Sequence, residues 1–277
     1  MLEWVKKKLL PYPILFTTIN MFDYLERERI ITERLNEFER VSLKGLDEVK
    51  LLNRMDSKFI FHIDDFPSIL DELKPYYRVL EIDNKRMFSY ESVYFDTPDL
   101  LLYKFHHNGK LNRLKVRYRK YLDSGLTFFE VKYKVKGVRT DKHRIKQADI
   151  KQQLTETELA LVHHDYADVK NLHKKLTIWF KRITLAGKNQ AERATLDLGL
   201  TFSNSSKEMS FPQLVVAEVK QEKSNVFSPM IQAFKRRHFG QAGFSKYSTG
   251  IALLEPVKNN AFKPVILKLN KLIHGTK

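Results

Sequence analysis

Residues 113–136 alternate with period two. Arg113, Lys115, Arg117, Arg119 and Tyr121 share one parity, and Leu114, Val116 and Tyr118 fill most of the other. After Asp123-Ser-Gly the alternation resumes, with Phe128, Glu130, Lys132, Lys134 and Lys136 on one parity and Phe129, Val131, Tyr133 and Val135 on the other. Successive side chains of a strand point to opposite faces, and Asp-Ser-Gly between alternating runs is a hairpin signal. The stretch predicts two paired strands, each with one apolar and one charged face.

The same pattern recurs along the chain. Residues 53–62 end as a strand with Arg54, Asp56 and Lys58 on one parity, and further strands are predicted at 77–83, 86–96 and 139–146, the last carrying Lys142 and Arg144 on one face. Leu176–Leu185 contains Arg182. Residues 192–198 place Arg193, Thr195 and Asp197 together, and residues 214–222 place Glu218, Lys220 and Glu222 together. Helical spacing marks 23–40, 64–73 (Asp65 as cap, Pro67 in the first turn), 100–107, 155–162, 166–176 and 228–239. Thr155 and Glu158 have capping-box spacing. A Gly-bounded segment, 244–250, leads to one or two short helices. The predicted organisation is α+β: a peripheral helical segment over 1–41, one domain over 42–255 and a helical tail over 256–277.

Composition narrows the partner. The 277 residues carry 49 Lys and Arg against 33 Asp and Glu, a net charge of +16, and the pI is about 9.7. Such an excess calls for an anionic partner: phosphate compounds, nucleic acid or an anionic membrane surface. With no cysteine, disulfides and thiolate metal sites are excluded, and a cytoplasmic location fits. Lys6-Lys7-Lys8 before an apolar run to Phe22 resembles the start of a signal peptide. However, Pro11, Pro13, Thr17, Thr18 and Asn20 interrupt the run, no small-residue cleavage site follows, and it is short for a bilayer span. It reads as a peripheral segment, weakly membrane-associating or upstream of the true start.

Like charges opposite one another on paired strands repel, so the basic faces suggest a polyanion that offsets the repulsion. Two arrangements remain open. An open sheet would leave a solvated charged face. A closed barrel of about eight strands would turn that face into a lumen wide enough for a small ligand. The acids Glu130, Glu192, Asp197, Glu218 and Glu222 lie on or beside the basic strands. Each is either an ion-pair partner or a ligand for a hard divalent cation. P-loop and dinucleotide fingerprints are absent. His106-His107 and His163-His164 are adjacent pairs that cannot share a strand face, Asp96 in Tyr94-Phe-Asp-Thr-Pro reads as a turn cap, and most aromatics fall on the apolar parity.

Eight segments together resemble a known family. Lys58-Phe-Ile-Phe, Tyr94-Phe-Asp-Thr-Pro, Arg117-Tyr-Arg-Lys-Tyr121, Glu130-Val-Lys132, Lys142-His-Arg144, Glu192-Arg-Ala-Thr-Leu-Asp197, Glu218-Val-Lys220 and Phe244-Ser-Lys-Tyr247 occur in the order of the VTC (vacuolar transporter chaperone) polyphosphate polymerase domain. That domain is one of the triphosphate tunnel metalloenzymes. The resemblance implies an antiparallel β-barrel, the triphosphate tunnel, with a charged lumen flanked by helices. It also implies transfer of the ATP γ-phosphoryl group to a growing polyphosphate chain with Mn²⁺ or Mg²⁺. Carried over by motif, Lys58, Arg117, Arg119, Lys132, Lys142, Arg182, Arg193 and Lys220 would be catalytic. Arg54, Lys134, Arg144, Ser245 and Lys246 would bind substrate, and Glu218, Glu130 and Glu192 would be the metal candidates.

The chain departs from that pattern at Phe180, where a tunnel tyrosine is expected, and at Gly243, where fungal relatives carry a lysine. Coupling synthesis to translocation would need a separate membrane partner. The alternatives are a tunnel triphosphatase, with water as acceptor, and a non-enzymatic polyanion-binding module. Nucleic acid is disfavoured as a partner because carboxylates share the basic faces.

Overall fold

The computed structural model describes residues 21–48, 55–134, 141–162, 171–222 and 225–274. Arg54, His163, His164 and the segment 1–20 lie outside them. The chain begins with helix α1 (Met21–Asn36), strand β1 (Glu39–Val41), the short α2 (Leu43–Glu48), β2 (Met55–His62) and α3 (Phe66–Leu73). It continues through β3 (Tyr77–Leu80), β4 (Phe88–Asp96), α4 (Leu101–His107), β5 (Arg113–Tyr121), β6 (Thr127–Lys134), β7 (Asp141–Gln147) and α5 (Glu156–Ala160). Three long strands follow, β8 (His173–Gly187), β9 (Glu192–Ser203) and β10 (Glu208–Gln221), then α6 (Pro229–Arg236), α7 (Lys246–Leu254) and α8 (Lys263–His274). The alternating stretch is indeed a hairpin over residues 113–134, pairing Arg117 with Glu130 and Lys115 with Lys132, and residues 135 and 136 lie outside the described residues.

The main sheet runs β2-β10-β9-β8-β4-β5-β6-β7 and its ladders are antiparallel. The 15-residue β8 carries β4 along most of one edge and β3 at its C-terminal end, with β1 parallel to β3. No ladder joins β2 to β7 among the described residues, so the expected closed barrel is instead an open sheet. It is strongly curled all the same: the Lys115 ammonium on β5 is perturbed by Lys58 on β2, and Lys132 on β6 by Glu218 on β10. Bulges at Trp179/Lys181 and Phe211/Val215 bend the long strands. The segment before α7 crosses the open side, where Ala242 donates its N–H to Lys58 O at 2.8 Å and Lys115 Nζ donates to Ser245 Oγ at 2.9 Å.

The convex side carries two apolar layers. One packs Ile31 and Leu35 of α1, Phe66, Ile69 and Leu70 of α3 and Phe234 of α6 against Ile183, Leu196 and Ala217. The other sets Val93, Val116, Tyr118 and Phe129 against Leu102, Val162 and Leu172. The concave side is more divided than a uniformly charged lumen. Leu176, Ile178, Phe180, Leu200, Phe202, Leu214 and Val216 point inward and pack with Ile251 of α7 and Val265 and Leu269 of α8, leaving the charged residues as a belt above this apolar floor. Helix α7 sits tight on the floor, since a Cβ on Gly250 would lie 2.7 Å from Leu176 and Phe202 side-chain carbons.

Local signals were partly legible. Thr155 and Glu158 form the capping box, and Ser228 and Ser245 cap α6 and α7. Asp65 makes no side-chain cap; α3 instead follows a 3₁₀ turn over Ile63–Asp65, where His62 accepts from the Asp64 N–H. Of the helix expected at 166–176, residues 166–170 lie outside the described residues, and from His173 onward the chain is β8, whose pairing with β4 and β9 overrides local helical spacing. Asp96 is a structural acid: fully buried, it accepts the N–H groups of Thr97, Leu102 and Tyr103 at 2.7–2.9 Å and the Tyr247 hydroxyl.

Candidate phosphate-binding belt

Register places the candidate side chains on one face. Arg117 stands opposite Tyr94, Arg182 opposite Asp197, Arg193 opposite Lys220 and Glu218 opposite Lys58. Three carboxylates organise most of the cations. Glu130 receives Arg117 Nε and Nη2 at 2.8 and 2.6 Å, with Lys142 Nζ 2.8 Å away. Asp197 receives Arg182 Nε and Nη2 at 2.6 and 2.8 Å and also Lys246. Glu218 pairs with Lys220 at 3.1 Å. Burial alone would raise all three carboxyls, but the cations outweigh it. Glu130 and Glu218 lie well below the usual carboxylate range, and Asp197 falls to about 2 under Arg182 and Lys246.

Arg117 and Arg119 of β5 differ. Arg117 spends its guanidinium on Glu130 and on the Tyr94 hydroxyl at 2.8 Å. Arg119 has a buried Nε without a hydrogen-bond partner, lies 5.7 Å from the Tyr90 ring centre and is lowered by burial and by Arg117. Phe180, which lacks the expected hydroxyl, stacks on Tyr90 at 5.2 Å between centroids and receives Arg182 and Lys246 over its face at 5.3 and 4.7 Å. It forms an apolar wall that positions cations.

The remaining candidates divide. Lys58 and Lys132 face the belt and form no ion pair among the described residues. Arg193 donates Nη2 to the Leu46 carbonyl. Lys134 is exposed on β6. Arg144 is exposed on the edge strand β7, its guanidinium 4.9 Å from the Phe128 ring centre. Glu192 does not join them. It points to the convex side among Ala194 and Leu196, buried, and accepts Tyr77 Oη and Gln221 Nε2. A carboxylate so enclosed has no path to a ligand in the belt, and its parity, opposite to Arg193 and Asp197, already carried that signal. The motifs give Lys115 no role, although it shares the charged parity of its strand.

Among the described residues no three His, Asp or Glu side chains gather as a metal cage. The donor set suits another regime, in which Mg²⁺ or Mn²⁺ takes one or two protein carboxylates and fills its shell with substrate phosphates and water. Glu218 fits it: its side chain is 25% exposed, against 2% for Glu130 and 3% for Asp197. No helix among the described residues is long and apolar enough to cross a membrane.

A curled antiparallel sheet holding cations and ionised carboxylates on its concave face defines an anion-binding protein. The chain belongs to the VTC domain family, which matches residues 53–255. No curated protein matches the chain. Solved structures with a similar arrangement include a candidate adenylate cyclase from Bacillus halodurans, at 13% identity and TM-score 0.43, covering 70% of this chain and 94% of that one. Another, from Vibrio parahaemolyticus, has 11% identity and TM-score 0.44 and covers 72% and 98%. An adenylyl cyclase candidate from Hippeastrum, described as having a dominant triphosphatase activity, has 10% identity and TM-score 0.44 and covers 73% and 98%.

Proposed function

We propose that this protein is a metal-dependent polyphosphate polymerase that transfers the γ-phosphoryl group of ATP to the end of a polyphosphate chain. The observation that carries the reading is the belt itself: cations from β2, β5, β6, β8 and β10 converge with one solvent-accessible carboxylate, Glu218, in a chain of the VTC domain family. Phosphoryl transfer needs little covalent participation from the protein; positioning and charge stabilisation suffice. Arg119, Lys58 and Lys132 hold the phosphate oxygens. Arg117 and Arg182, clamped by Glu130 and Asp197, keep the belt's geometry. Glu218 would hold a Mn²⁺ or Mg²⁺ ion, which would supply charge neutralisation for the phosphates. Incubation of the purified protein with ATP and Mn²⁺ or Mg²⁺ tests this: a polyphosphate ladder on a gel is expected. Neither chain nor orthophosphate with any divalent metal would sink the catalytic reading.

One observation favours water as the acceptor. The apolar floor made by α7 and α8 fills the concave face beneath the belt, which shortens the space left for a growing chain. Orthophosphate as the dominant product would assign the protein to triphosphate hydrolysis.

A further inference from the structure

The belt has two electrostatic halves. Around Glu130, Asp197 and Glu218 the cations Arg117, Lys142, Arg182, Lys246 and Lys220 each have a carboxylate partner. Lys115 has none among the described residues. Its ammonium donates to the neutral Ser245 Oγ at 2.9 Å, and that hydroxyl also accepts the Ser248 N–H and donates to Ser248 Oγ, both at 3.3 Å. The four charges that act most strongly on Lys115 are all positive: Lys58 on β2, Lys132 on β6, and Arg117 and Arg113 on its own strand. His106 on α4 shares this surrounding. Burial and the charges of Lys115, Arg113, Lys58 and Lys134 push it down to about 3, so it contributes no anion and no further cation.

We propose that Lys115, with Lys58, Lys132 and the Ser245 hydroxyl, forms a phosphoryl-binding subsite that is left unneutralised by the protein and takes up a proton when a terminal phosphate dianion enters. The proposal rests on the phosphoryl-transfer reading of the belt and goes beyond it in assigning Lys115 and its proton. The physical case is one of balance. A buried ammonium beside four other cations is disfavoured unless an anion arrives. Burial, followed by Lys58, Lys132, Arg117 and Arg113, pushes Lys115 down to about 7. A terminal phosphate reverses the sign of the local potential and restores the charge, so that Nζ gains H⁺ from solvent while its hydrogen bond shifts toward phosphate oxygen. Binding there weakens as pH rises above about 7, because the proton must then be drawn from a more dilute pool.

The terminal dianion can come from a nucleotide's γ-phosphate or from the end of a polyphosphate chain. Two calorimetric arms, one with ATP and one with inorganic tripolyphosphate, separate them. Each is run metal-free at pH 6 and pH 8 in two buffers of different ionisation enthalpy. The wild type is expected to take up about one proton more at pH 8 than Lys115→Met in the arm whose ligand occupies the subsite, with the difference small at pH 6. Lys115→Met should also bind that ligand at least tenfold more weakly at pH 6. Lys115→Arg, charged at either pH, should bind without the extra uptake. Because Lys115→Met removes an uncompensated amine, it is expected to melt higher than the wild type. Equal proton uptake and affinity in wild type and Lys115→Met, in both arms, would overturn the subsite while leaving the phosphoryl-transfer reading intact. Failure of the wild type to bind either ligand would overturn both.

Discussion

Arg182 and Asp197 stand opposite one another on β8 and β9, joined by a two-pronged contact of 2.6 and 2.8 Å. Lys246, from the start of α7, closes on the same carboxylate. The pair therefore ties the sheet to the helix that floors it.

Replacing Asp197 by Asn would leave two buried cations without a counter-charge. Asp197→Asn should destabilise the fold by about 3–5 kcal/mol in denaturant melts. The acid limb offers a second check. Asp197 is lowered from 3.8 to about 2, so it contributes stability above pH 4 that is lost as pH falls through that interval. The variant should show a flatter loss of stability between about pH 4 and pH 2.

Arg117 and Arg119 should separate. Arg119→Lys removes a fork that the protein itself leaves partly unsatisfied. Turnover should fall at least tenfold, as expected for a charge-assisted hydrogen bond worth about 1.5–3 kcal/mol, with the melting midpoint unchanged or raised. Arg117→Lys disrupts the contacts to Glu130 and Tyr94, so it should lower both turnover and the melting midpoint. Equal stability losses in the two variants would contradict this division.

Glu218→Gln preserves size and removes the accessible carboxylate. Turnover with Mn²⁺ should collapse, while metal-free tripolyphosphate binding measured by calorimetry survives or tightens. Glu192→Gln is the contrasting case. Turnover should persist while stability falls by about 1–3 kcal/mol, the cost of disturbing the buried hydrogen bonds from Tyr77 and Gln221. The reverse outcome would move the metal to the convex side.

Tyr118 tests which way β5 faces. It is fully buried in the convex layer and donates to Glu158 Oε1 at 2.5 Å. Tyr118→Asp would set a second acid beside Glu158 in an apolar layer and should leave little folded protein by circular dichroism. Tyr118→Phe, losing only the hydroxyl bond, should cost about 1–3 kcal/mol. A stable Tyr118→Asp would mean that the charged face of β5 points outward.

The sequence by itself determined the alternation that separates Arg117 and Arg119 from Val116 and Tyr118, because pleat parity is a local property of the chain. Those faces, with the net charge, were enough to imply an anionic ligand, and the ordered motifs pointed to the family. Which acid neutralises which cation was not local. Lys115 and Arg117 are two residues apart and look alike in sequence, yet one meets a serine and the other Glu130. Curl and register across β2, β5, β6 and β10 set that difference, since they bring Lys58 and Lys132 toward Lys115 and, among the described residues, give it no carboxylate ion pair. The open edge between β2 and β7 and the apolar floor beneath the belt were decided the same way. Inward-facing Leu176, Ile178 and Phe202 meet α7 and α8 across long sequence separations, and packing of that kind leaves no signature in a strand's own alternation.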